Sequence, residues 1–459
     1  MEQQPTVKII ASSSAGDLVV AAGGRISTTQ GTALEIFERT KEKTNNASLI
    51  EKVVNSGHAS VLEHQFFSVA FDSVSVFTEQ FVIEFRLGSY TVQSRRYVDY
   101  SKTGFYTPPL PEHLSGEFTS HMQSLFDDYG KLLTMGIPKE DARFVLPYCF
   151  RSNFLCTMNA RELIYMVNVM TAGRGSYYPE LKMLGESLKE QLRAYFPRVP
   201  DILAAKFQTD RKNPERFKPY EKFPMVCNLH EEESSVELGY ISPADPLAVI
   251  GQAEEANWMV NPEPEAPFAP EEALCGERPR ELELIHVQFE IYNLSLAAIT
   301  HLVRHRMQTV LVPHIAQAVL MNAYLVPDSV RANPLALNTY QNAFRRNTKT
   351  VRSMIANGLP GEAVQYFALA GNQLDVSCAM NGRELLHFMK LRTCSRAQWE
   401  IRACAVSLLK QLRDRCPAVF GHYGPSCFVT GSCPEGRLSC GKAAEIKKMF
   451  ESGESSLTD

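Results

Sequence analysis

The chain has 459 residues, 44% hydrophobic and 21% charged, with a formal net charge of −4. That length predicts two or three domains and the composition an ordinary globular chain. The negative balance excludes general nucleic-acid or anionic-membrane binding, while leaving room for a local basic site. No run approaches bilayer length, and the opening MEQQPTVKII lacks the basic-then-apolar pattern of an export signal. With eleven scattered cysteines, these features place the expected location in the reducing cytoplasm.

Read in order, the chain repeats itself. VKIIASSSAGDLVV (Val7 to Val20) aligns without gaps to VELGYISPADPLAV (Val236 to Val249). NARELIYM from Asn159 returns as NGRELLHF from Asn381, and SLKEQLRAYFP from Ser187 as SLLKQLRDRCP from Ser407. The spacings are 229, 222 and 220 residues, the size of a domain rather than of a solenoid repeat. A tandem duplication follows, and two like domains are expected to pack about a pseudo-twofold axis. The boundary falls near residue 230, between the proline-bearing Lys206–Pro224 stretch and the acidic His230–Ser235. The expected domains are 1–230 and 231–415, followed by a Cys/Gly-rich tail at 416–459, with Asn261–Pro279 as a loop or insertion in the second half.

Secondary structure is mixed. HQFFSVAFDSVSVFTEQFVIEF (His64 to Phe85) begins as a strand; its counterpart from His286 starts as a strand and turns helical. Asn159 and Asn381 each precede an apolar helical pattern with Glu three residues on, a helix N-cap signature. Ser395 with Gln398 suggests another helix start. The fold class is α+β, two tandem homologous domains, each a mixed or antiparallel sheet packed with long helices.

The segment His301–Thr309, HLVRHRMQT, sets two permanent cations at the end of an apolar run. Buried guanidinium is tolerated only against carboxylate or phosphate. If helical, Arg304 and Arg306 would point about 200° apart and serve two ligands or two parts of one. The bland alternative is a solvated helix end.

GHASVLEH (Gly57 to His64), SYTVQSRRY (Ser89 to Tyr97), HLVRHR and NGRELLHFMKLRTCSRAQWEIR (Asn381 to Arg402) together resemble the flavin-dependent thymidylate synthases. Neither half carries the whole signature. The first has Glu84-Phe85-Arg86 for the family's Arg-His-Arg but keeps Ser94, Arg96 and Tyr97. The second keeps Arg304-His305-Arg306 but loses the Ser-x-Arg-Tyr in VLVPHIAQAV. Arg143 faces Gln365 in the repeat, and Arg392 faces Met170. The losses are complementary, which predicts one composite site per chain drawing on both halves.

The resemblance implies a methyltransferase that converts dUMP to dTMP with FAD, NADPH and methylenetetrahydrofolate. It places Ser94, Arg95, Arg96, Arg143, His301, Arg304 and Arg392 at the nucleotide, with Arg392 catalytic beside the uracil ring. His301 stands where the family has glutamine. FAD would be held by Arg304, His305 and Arg306, with His387, with the Asn-x-Arg contacts from either Asn381 and Arg383 or Asn159 and Arg161, and with His58 and Ser60 from another copy. No enzyme nucleophile is implied. The small-molecule partner is the nucleotide, without nucleic acid or membrane, and a homodimer with pseudo-tetrameric symmetry is expected. Two alternatives stay open: a flavin/folate methyltransferase on another pyrimidine nucleotide such as UMP, and a non-catalytic flavin- or nucleotide-binding scaffold. Cys416, Cys427, Cys433 and Cys440 offer a zinc alternative to plain thiols, although no CxxC pair is present.

Overall fold

The computed structural model describes residues 4–207, 225–226, 228–256 and 279–452. The connector at 208–224 and the insertion at 261–278 expected from the sequence lie outside the described residues. Among the described residues no helix is long and apolar enough to cross a membrane.

Each repeat builds the same sheet. In the first, β1 (Thr6–Ser12), β2 (Phe66–Ser75), β3 (Gly88–Val92) and β4 (Arg151–Asn159) lie in the order β1-β2-β4-β3, all antiparallel. In the second, β5 (Ser235–Ser242), β6 (His286–Ser295), β7 (Gln308–Leu311) and β8 (Gln373–Asn381) lie in the order β5-β6-β8-β7. The period-two alternation decides which face is buried. Phe67, Val69 and Phe71 of β2 point into the core, as do Val287, Phe289 and Ile291 of β6. Val7 pairs with Phe71 and Val236 with Ile291, so the repeat alignment is also the strand register.

Each repeat also contributes four principal helices. In the first repeat these are α1 (Val76–Ile83), α2 (Glu112–Thr134), α3 (Ala160–Thr171) and α4 (Pro179–Arg193). In the second they are α5 (Leu296–Leu302), α6 (Pro334–Ala356), α7 (Gly382–Arg392) and α8 (Trp399–Arg415). Leu181, Leu184, Leu188 and Leu192 form the buried stripe of α4 at helical spacing. Gln191 of α4 clamps β1 by accepting from Ile9 N–H and donating to the Val7 carbonyl. Gln411 of α8 does the same to Leu238 and Val236 of β5.

Asn159 and Asn381 do cap α3 and α7, accepting from the Glu162 and Glu384 N–H groups at 2.9 and 2.8 Å. Helix α8 starts later than Ser395 suggests: Gln398 is its N-cap, and the helix begins at Trp399. The strand-to-helix change expected only in the second repeat occurs in both, since β2 runs directly into α1 as β6 runs into α5.

The compact units depart from the expected boundaries. One comprises residues 1–227, 319–321 and 327–370, the other 228–318, 322–326 and 371–459. Residues 327–370 of the second repeat therefore belong with the first unit, where α6 packs on α2. His121 Nε2 hydrogen-bonds Asn347 Oδ1 at 2.8 Å, Arg346 pairs with Asp128, and Phe118 meets Phe367 edge-on. Pro147 and Leu369 form an antiparallel bridge in the same unit. The Cys/Gly-rich tail is not separate either, because α8 holds it. Arg413 donates to the carbonyls of Phe420, Gly421, Tyr423 and Phe450, and Tyr423 OH reaches the Gly382 carbonyl at 3.0 Å.

Candidate active site

One anchoring device positions the motif in each repeat. At the β2–α1 joint, Ser75 caps α1, and the buried Glu180 accepts from the Ser75 N–H at 2.7 Å and hydroxyl at 2.6 Å. Tyr366 OH adds a third bond at 3.1 Å. At the β6–α5 joint, Ser295 caps α5, and Glu400 accepts from its N–H and hydroxyl and from Ser234. A buried carboxylate is tolerable only when its oxygens are satisfied in this way. Burial nevertheless raises the Glu180 pKa above the ordinary carboxylate value. Because α5 is apolar and ends at Leu302, Arg304-His305-Arg306 falls in the turn leading to β7, not on a helix. The opposed-face geometry expected for a helix therefore does not apply.

In the second unit, His305 is buried and both its ring nitrogens are engaged. Arg392 Nε donates to His305 Nε2 at 3.0 Å, and His305 Nδ1 lies 3.1 Å from Glu384 Oε1. Arg392 Nη2 also donates to the His301 carbonyl at 2.9 Å. Since a guanidinium only donates, Nε2 is the bare nitrogen and Nδ1 carries the proton toward Glu384. Burial is the largest influence lowering the His305 pKa; Glu384 opposes it, while Arg392 and His387 add to it. Arg304, Arg306 and His387 are exposed around this buried core.

In the first unit, Ser94, Arg95 and Arg96 follow β3. Arg95 turns inward and pairs with Glu79 of α1, whose carboxylate also accepts from Ser152 of β4. Arg96 meets Glu140 at 2.7 Å. Arg143 is 3% exposed, donates through Nε to the Glu140 carbonyl at 3.0 Å, and among the described residues has no hydrogen-bond partner for Nη2. Burial first, then the neighbouring Arg95, pull its pKa down to about 10. Three guanidiniums against Glu79 and Glu140 leave a local positive excess, suited to an anion.

The remaining expected residues split evenly. Arg161 pairs with Glu63 on the turn Ala59–His64, beside exposed His58 and Ser60; Arg383 pairs with Glu283 on the corresponding turn Arg280–Leu284. This Asn-x-Arg arrangement is thus present in both repeats. Glu79, Ser152 and Glu384 were not identified from the sequence. The available signal was charge bookkeeping: inward-turned Arg95 and buried His305 each need a partner. Among the described residues no group of three or more His, Cys, Asp or Glu side chains is placed to hold a metal. Burial nonetheless raises the pKa of the Cys394 and Cys427 thiols, and Cys433 and Cys440 lie near enough to both to add to that rise.

The family model described as "Thymidylate synthase complementing protein" matches residues 8–198 and 275–418. This chain belongs to that family, the flavin-dependent thymidylate synthases. The flavin-dependent thymidylate synthase of Geobacter sulfurreducens is 36% identical over 176 residues, 37% of this chain and 74% of that protein. That of Sulfurisphaera tokodaii is 29% identical over 198 residues, 42% of this chain and 75% of that protein. A solved UMP/dUMP methylase, PolB of Streptomyces cacaoi, matches at 24% identity and a TM-score of 0.38, covering 44% of this chain and 96% of its own. The chain is about twice the length of its family relatives, and the family match falls in two segments. Membership in this enzyme family implies a flavin cofactor.

Proposed function

We propose that the chain reductively methylates dUMP to dTMP, using FAD, methylenetetrahydrofolate and NADPH, with one functional set of site groups per chain. The observation carrying this reading is the division of buried polar clusters between repeats. Glu79, Arg95 and Ser152 correspond to Ile299, Ile315 and Leu374; His305 and Arg392 correspond to Phe85 and Met170. Each repeat keeps what the other has replaced.

The residues present fit the groups they would hold. Arg143, buried with an unpartnered Nη2, and Arg96 suit the nucleotide phosphate. Ser94 adds a hydroxyl, and Arg95 holds the loop from beneath through Glu79. Exposed Arg304 and Arg306 on an anchored turn suit the flavin diphosphate, with Arg383 and His387, or Arg161, His58 and Ser60, as further contacts. When bound, the flavin supplies reducing equivalents and the passage of the one-carbon unit. Arg392 presents a fixed cation that favours negative charge developing on the pyrimidine ring.

NADPH oxidation by FAD-loaded protein should require methylenetetrahydrofolate and dUMP. Titration should saturate at one dUMP and one FAD per chain, and sedimentation should show a homodimer. Turnover with UMP in place of dUMP would transfer the reading to a ribonucleotide. Two equivalent nucleotides per chain would contradict the division between repeats.

A further inference from the structure

His305 is expected, by family resemblance, among the groups that hold the flavin. Its surroundings assign it different work. Both ring nitrogens are engaged within the unit, Nε2 by Arg392 and Nδ1 by Glu384, and the ring is 3% exposed. No polar atom of this side chain is left to face a diphosphate. We infer that His305 is a positioning residue: its neutral ring, oriented by Glu384, fixes the Arg392 guanidinium beside the nucleotide base and makes no contact with the flavin. This rests on the nucleotide-methylating reading above.

The duplication supplies an internal control. Where His305 becomes Phe85, Arg392 becomes Met170, so histidine and arginine are lost together. Phe85 instead packs edge-on against Tyr165, and the remaining Glu162 accepts from the Leu87 backbone. Arg304 gives way to Glu84 in the same turn, so it is the direct bond from Arg392 to His305, with the loss of both partners together, that carries the assignment. The geometry also needs the unprotonated ring. Arg392 cannot accept a hydrogen bond, so a proton on Nε2 would turn an attraction into a contact between two cations. The groups facing the ring are Glu384, His387 and Arg392 of α7, with the Phe388 ring at 5.1 Å; α5 contributes the His301 carbonyl, which accepts from Arg392. Of these, only Glu384 favours protonation of His305; burial, Arg392 and His387 oppose it. Activity should therefore hold through neutral pH and fall on an acid limb below the ordinary histidine range.

Four variants of the full chain test this: His305→Phe, His305→Gln, Arg392→Met and the double His305→Phe/Arg392→Met. Flavin absorbance per chain, kcat, KM for dUMP and the pH profile are the readouts. His305→Phe should retain flavin and lose about 100-fold in kcat, and the double variant should be no slower than Arg392→Met. Glutamine can accept from Arg392 and donate to Glu384 without titrating. His305→Gln should thus stay within about tenfold of wild type, and its acid limb should disappear, while His387→Gln keeps that limb. Flavin loss in His305→Phe equal to that in Arg306→Ala, multiplicative losses in the double variant, or an acid limb surviving in His305→Gln would each overturn the inference. If the wild-type chain turns over no dUMP, the reading above fails separately. The pairing is then decided by the 15N-arginine signal of Arg392 Nε: slow exchange at neutral pH that is lost in His305→Phe supports it, and an unchanged signal refutes it.

Discussion

The turn after α1 and the turn after α5 begin from the same joint and end in different chemistry. Ser75 and Ser295 cap their helices in the same way, and Glu180 and Glu400 hold them from below. Beyond the helices, one repeat presents Glu84-Phe85-Arg86 and the other Arg304-His305-Arg306. In the first, Arg174 pairs with Glu84 and lies over the Phe81 ring, so a cation is spent on an internal carboxylate. In the second, His305 binds Arg392. Anchors whose loss would leave buried groups unsatisfied have been kept in both copies, whereas the Arg95–Glu79 and His305–Arg392 pairs each survive in one. They also disappear as sets, because removing one member of a buried polar cluster strands the others at about 1–3 kcal/mol each. Glu162 is the exception, rescued by a backbone donor.

The sharpest way to break this comparison is to exchange equivalent residues. Arg392→Met gives the second repeat the residue of the first, and kcat should fall about 100- to 1,000-fold, or about 3–4 kcal/mol. Met170→Arg should restore nothing and should lower the unfolding midpoint, since Met170 is fully buried and a guanidinium in its place would be stripped of water. Steady-state kinetics on both variants decide the matter; equal effects would mean the repeats are not specialised.

A second test concerns which unit residues 327–370 belong to. His121 of α2 is buried against Asn347 of α6, and burial brings its pKa from 6.5 down to about 4. As pH falls through 6.5 the unfolded chain takes up the proton first. Stability should therefore decline between pH 6.5 and 4, by up to about 3 kcal/mol, and level off below. Urea midpoints across that range should drop more steeply for wild type than for His121→Gln. Parallel curves would mean that α6 does not cover this histidine.

Much of this was legible in the sequence. The duplication, the α+β class, both asparagine caps and the complementary motif losses all follow from local patterns. Three things did not. The helix end at Leu302 is invisible to periodicity, because a helix buried on every side has no polar face to mark its phase. The placement of α6 with the first unit depends on contacts such as Phe118 with Phe367, which no local pattern encodes. The partners of His305 and Arg95 lie 79 and 16 residues away on other elements. Their need for a partner could be read from the chain, but its identity could not.

The nucleotide and flavin groups should separate by repeat. Arg96→Ala removes a charged donor from the first-repeat cluster and should weaken dUMP binding by about 1.5–3 kcal/mol while flavin content stays constant. Arg306→Ala in the second repeat should release FAD, read as loss of bound flavin absorbance after gel filtration. Equal losses of both ligands in both variants would end the proposed division of labour.

The smallest effect falls at the position where the two repeats differ most in charge. Glu84 and Arg304 occupy equivalent places, but Glu84 is engaged, among the described residues, in an ion pair with Arg174 whose side chains are 37% and 57% exposed. Exposed pairs of this kind contribute about 0–1 kcal/mol, because solvent screens the attraction and two long side chains must be ordered. Glu84→Ala should therefore shift the unfolding midpoint barely at all and leave turnover and flavin content at wild-type levels. Arg304→Ala, the same truncation one repeat later, should lower flavin occupancy. The stronger variant is Glu84→Arg with Phe85→His, which writes Arg-His-Arg into the first repeat. It still lacks Arg392, since Met170 is unchanged, so the added histidine has no guanidinium to hold and no second catalytic site should appear, whatever flavin the new arginine recruits. A doubling of kcat per chain would show that the motif alone makes the site, and that the buried partners beneath it are dispensable.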